Sequence, residues 1–114
     1  MRVLVVGAGR VGARVLAQLQ KNATLEIITL DPRPRPYALE QGLIDRVDVA
    51  ESLTPLTLEY VLAQTEPDLV LLAADSADMS LGKAPGMDIL AESLREELAA
   101  LSAVPLVEVA RTGF

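Results

Sequence analysis

The apolar runs in this chain are short, and stretches with helical spacing stand between them. Val3 to Val6 is a continuous apolar run that ends in glycine, as suits a strand buried on both faces. From Val11 the period changes: Val11, Val15, Leu16 and Leu19 fall on one helical stripe, with Arg14, Gln18 and Lys21 off it. Leu25 to Leu30 is rich in β-branched residues and reads as a second strand, stopped by Asp31-Pro32. Residues 36–41 suit a short helix closed by Gly42, and residues 43–49 contain a weak third strand. Thr54-Pro55 reads as an N-cap and first-turn proline opening a helix through Leu58, Val61 and Leu62. A wholly apolar strand spans Leu69 to Ala74. After a loop from Asp75 to Gly86, a long helix carries Leu90, Leu94, Leu98 and Leu101 on one face, and Leu106 to Val109 is a last strand. Such alternation selects an α/β fold: one doubly wound, mostly parallel sheet of about five strands with helices on both faces, filling residues 1–114 as a single domain.

Composition removes several kinds of chemistry. With 51% hydrophobic residues the chain can bury a core without staples. It has no cysteine, hence no disulfide, thiolate metal site or thiol nucleophile, and no histidine, the commonest general base and metal ligand. A net charge of −6 argues against a duplex-binding surface, and 3% aromatic content against stacking on single strands. No run of ~18 apolar residues is present to span a membrane, and the first residues lack the pattern of a signal peptide. These features predict a soluble cytoplasmic protein that neither inserts in a membrane nor binds nucleic acid.

The turn after the first strand, Gly7-Ala8-Gly9-Arg10-Val11-Gly12, matches G-x-G-x-x-G, and a strand before it with a helix after it gives the pattern meaning. Gly7 allows the tight turn, Gly9 lets backbone approach a pyrophosphate, and Gly12 lets the helix pack closely. The helix N-terminus offers free amides and a positive dipole end to phosphate. Roughly 20 residues on, at the end of the second strand, stands an acid, Asp31. A carboxylate there accepts the ribose hydroxyls of adenosine and repels a 2′-phosphate, which favours NAD(H) over NADP(H). Arg33 and Arg35, beyond Pro32, pull the other way, since arginine holds a 2′-phosphate or stacks on adenine. The competing reading makes the glycines a plain tight turn and Asp31 a turn residue before Pro32.

Ligands of open α/β sheets sit beyond the carboxyl ends of the strands, so Ala73, Ala74, Asp75 and Ser76 are expected to border a cofactor. Small residues that merely pack a strand end, with Asp75 in solvent, explain them equally well. Residues 80–86 resemble a phosphate loop but lack its G-x-x-x-x-G-K-[ST] order, which leaves Lys83 a lid or surface residue. The alternating prolines from Pro32 to Pro36 suit a stiff connector. Asp45, Asp48 and Glu51 read as a solvated acidic face.

Taken together, the Val3-to-Val6 strand, Gly7-Ala8-Gly9-Arg10-Val11-Gly12, Asp31, Ala73-Ala74-Asp75-Ser76-Ala77-Asp78 and Val104-Pro105 before Val107-Glu108-Val109-Ala110-Arg111 resemble the N-terminal domains of TrkA/RCK-type potassium-uptake regulators. The resemblance implies a Rossmann fold that binds NAD(H) or adenine nucleotides. It also implies a homodimer that passes ligand state to a membrane transporter. Pro32 to Pro36 and the residues after Asp75 depart from that family, and Asp48-Val49-Ala50-Glu51 stands where it has a Gly-Asp segment. The cofactor-binding halves of saccharopine-dehydrogenase-like enzymes are also similar, through Glu66-Pro67-Asp68-Leu69-Val70 and Ala73-Ala74. Hydride transfer needs a substrate held against the nicotinamide and a proton donor. No histidine is present, and neither Tyr37 nor Tyr60 has a lysine at reductase spacing. A binding or regulatory module is therefore expected over a complete enzyme. A dehydrogenase half and a ligand-free assembly element are the alternatives.

Overall fold

The computed structural model describes residues 1–74 and 86–109. Five residues of near-continuous apolar character form β1 (Arg2–Val6), and Val3, Leu4, Val5 and Val6 are all buried because both faces of this strand are covered. It is flanked by β2 (Glu26–Leu30) and β3 (Leu69–Leu72), with β4 (Leu106–Glu108) beyond β3. All pairings are parallel and the order is β2-β1-β3-β4. Val3 to Val6 lie opposite Ile27 to Leu30 on one side and Leu69 to Leu72 on the other.

Parallel neighbours need crossovers, and among the described residues four helices lie in the connections. On one face α1 (Arg10–Leu19) and the single turn α2 (Tyr37–Glu40) cover Val3 and Val5 with Ala13, Leu16 and Ala38. On the other face, α3 (Pro55–Thr65) and α4 (Met87–Leu101) cover Leu4, Val6, Val70 and Leu72 with Leu58, Val61 and Leu98. The sheet is thus doubly wound. Thr54 caps α3 as its sequence foretells: its side-chain oxygen accepts from the Thr57 amide at 3.1 Å, with Pro55 at the first helical position. Leu16, the fully buried anchor of α1, fills the middle of its face. Leu16→Ala is expected to lower unfolding free energy by about 2–5 kcal/mol, read as a reduced urea midpoint at unchanged slope.

Three expectations change. Residues 43–49 are not a strand, so the described sheet has four strands rather than about five; only Val49 bridges to Leu30. The reason is side-chain competition for the ladder. The Thr29 amide of β2 donates to the Asp48 carboxylate at 2.9 Å, and the Leu43 carbonyl accepts from Gln20 Nε2. Asp48 is accordingly an edge-pairing residue and not simply part of a solvated face. On α4, Leu94 and Leu98 pack inward but Leu90 is half exposed. The Leu101 side chain lies outside the described residues.

Candidate functional site at the end of the first strand

The chain leaves β1 between its two neighbours, and the crossovers to those neighbours lie on opposite faces. This is the position where open α/β sheets part to form a crevice. Gly7 turns the chain there with φ +102°, a conformation L side chains rarely adopt, while its amide donates to the Leu30 carbonyl at 2.7 Å. A Cβ on Gly7 would stand 2.9 Å from the Ala73 carbonyl group and from Ala74 Cα. Ala73 and Ala74 are buried and Ala74 belongs to the core, and it is their backbone that the bare Gly7 approaches. Gly12 is required by space: a Cβ there would fall 1.9 Å from the Gly7 carbonyl oxygen. The first turn of α1 is seated directly on the glycine loop.

Asp31 holds that loop from the next strand. Its side chain is fully buried, and its Oδ2 accepts from the Ala8 amide at 2.8 Å. The Arg33 amide and Nε both donate to Oδ1 at 2.9 Å, and an Arg33 terminal nitrogen donates to Oδ2 at 2.9 Å. Pro32 and Pro34 flank Arg33 and stiffen the backbone on either side of it. A second clamp comes from α2, whose Ala38 amide donates to the Ala8 carbonyl at 2.9 Å.

These bonds divide the loop into used and available groups. The amides of Gly7 and Ala8 are committed, and Gly7, Ala8 and Gly9 are buried. Among the described residues, the first turn of α1 has no side-chain cap and no acidic residue; Val11 is half-buried, and Arg10 is exposed. The guanidinium carbon of Arg10 lies 4.8 Å from the centre of the Tyr37 ring, a cation–π arrangement that steadies a positive charge at the helix end. A diphosphate fits the donor set of the uncapped turn and Arg10. Ribose hydroxyls do not fit Asp31 as it stands, because its four acceptor positions are filled by four N–H groups.

The structure therefore brings together Gly7, Ala8, Gly9, Arg10, Val11, Gly12, Asp31, Pro32, Arg33, Ala73 and Ala74 around one turn. Asp75, Ser76 and Lys83 lie outside the described residues. Arg14 is exposed, as a surface residue. Two participants escape the glycine-and-acid pattern: Ala38 through its backbone, and Tyr37 through its ring. A proline followed by an aromatic residue at a helix start was their only trace in the sequence.

No known family model matches this sequence, and no curated protein does. Among solved structures, the chain is similar to a dTDP-glucose 4,6-dehydratase from Bacillus anthracis strain Ames, crystallised in complex with NAD. The TM-score is 0.57 at 22% identity, covering 99% of this chain and 41% of that one. The chain thus spans less than half of that dehydratase. The fold is Rossmann-like, an α/β domain of the architecture in which dinucleotide sites are built at the end of the first strand. Among the described residues, no helix is long and apolar enough to cross a membrane.

Proposed function

We propose that this domain binds a nicotinamide dinucleotide, NAD(H) in the first place, with its diphosphate on the amides of Arg10 and Val11. The observation that carries this reading is the seating of the uncapped α1 turn on the glycine loop, where Gly12 meets the Gly7 carbonyl and Asp31 grips the Ala8 amide. Those contacts preorganise a positive helix end facing the crevice. The similar dehydratase, which carries NAD in its own crystal, supports the choice of ligand class. In this reading the domain is a cytoplasmic ligand-sensing module of the TrkA/RCK kind, working as a homodimer that reports cofactor state to a membrane transporter. The absence of histidine and cysteine supports sensing over catalysis. A second reading, the cofactor half of a larger enzyme, is favoured by one observation: the similar protein is an enzyme, of whose chain this domain covers 41%.

Thermal unfolding in the presence of NAD(H), NADP(H), ATP, ADP and AMP tests the proposal. A ligand held only by the folded state at a hundred times its Kd adds about 2.7 kcal/mol, a readily measured rise in Tm. Gly9→Val, whose fold is checked by circular dichroism, is expected to abolish that rise. A rise of equal size in Gly9→Val removes the diphosphate from this turn. A flat response to every nucleotide leaves an assembly element.

A further inference from the structure

We propose that Arg33 is a latch on the adenosine end of the site, occupying the acceptors of Asp31 that ribose hydroxyls need and thereby cancelling the acid's preference for NAD over NADP. The inference rests on the dinucleotide reading above and goes beyond it to specificity. A carboxylate offers about four acceptor positions. In Asp31 all four are used, and Arg33 supplies three of the donors through its amide, Nε and a terminal nitrogen, each at 2.9 Å. The fourth donor, Ala8, belongs to the glycine loop and cannot leave without unmaking it.

Two physical consequences follow. A ribose that hydrogen-bonds Asp31 must first displace the Arg33 fork, so part of the interaction it gains is offset by the pair it breaks. The charge that would repel a 2′-phosphate is meanwhile neutralised by a guanidinium whose planar fork matches phosphate as well as carboxylate. Asp31 is completely buried, whereas the Arg33 side chain is 38% exposed. The arginine is thus the partner of the pair that solvent and an incoming phosphate can reach.

The test is direct titration of NAD and NADP into the full chain and into Arg33→Ala and Arg33→Lys by calorimetry. The wild type is expected to bind both within about tenfold of each other. Arg33→Ala is expected to tighten NAD severalfold and weaken NADP by about tenfold or more, the scale of a lost bidentate phosphate contact. Arg33→Lys keeps the charge without the fork, so NAD tightens while NADP falls less than in Arg33→Ala. It also guards against a poorly folded alanine variant. Unchanged NAD:NADP ratios in both variants, with binding still abolished by Gly9→Val, overturn the latch and leave the dinucleotide site standing. Absence of binding in the wild type and in both variants overturns the dinucleotide site itself, and the latch with it.

Discussion

Gly12→Ala is expected to destabilise the domain by more than about 3 kcal/mol, at the upper end of what one added methyl does to a packed interior. The added carbon would lie 1.9 Å from the Gly7 carbonyl oxygen and 2.6 Å from its carbon. Both atoms are backbone, so no flexible side chain can give way. Either α1 lifts off the loop, giving up the packing of Ala13 and Leu16, or the loop shifts and breaks the Gly7–Leu30 and Ala8–Asp31 hydrogen bonds. Against a typical total of 5–15 kcal/mol, this is a large share of the stability. Gly42→Ala is the control. Gly42 has φ +75° but open space around it, so the variant carries only the strain of a left-handed residue, about 1–2 kcal/mol. Urea denaturation of the two variants separates crowding from backbone strain. Equal losses would mean that the Gly12 contact is absent.

Asp31→Ala is expected to cost about 2–4 kcal/mol, somewhat below the cost of breaking a fully buried pair because Arg33 keeps a path to water. The loss has two parts. The Ala8 amide, in a buried loop, is left without an acceptor, and the Arg33 fork loses the partner that returns it to the sheet. Asp31→Asn retains one oxygen for Ala8 and is expected to lose about half as much, which chemical denaturation of the pair would reveal. If Asp31→Ala is as stable as the wild type, Asp31 does not hold the loop. Its effect on nucleotide binding then needs no structural component.

The two variants separate what was legible in the chain from what was not. The order of strands and helices, the burial of Val3 to Val6, the Thr54 cap and the glycine turn were readable because each depends on neighbours close in sequence. Residues 43–49 misled for a reason outside that range. Their apolar residues suit a strand, but whether they complete a ladder depends on what meets Thr29 across the sheet, and Asp48 reaches it first. The half-exposed Leu90 has the same origin: helical spacing shows which side of α4 is apolar, not which of its residues meet the core.

Local periodicity and turn chemistry alone thus determined an α/β domain with a tight glycine corner between its first strand and first helix. Only tertiary structure decided what the groups at that corner are free to do. Asp31 and Arg33 are two residues apart and can meet locally, but the closure of Asp31 on Ala8 depends on β2 lying beside β1 in register. A hydrogen-bond acceptor is defined by the donors around it, and those donors are brought together by folding.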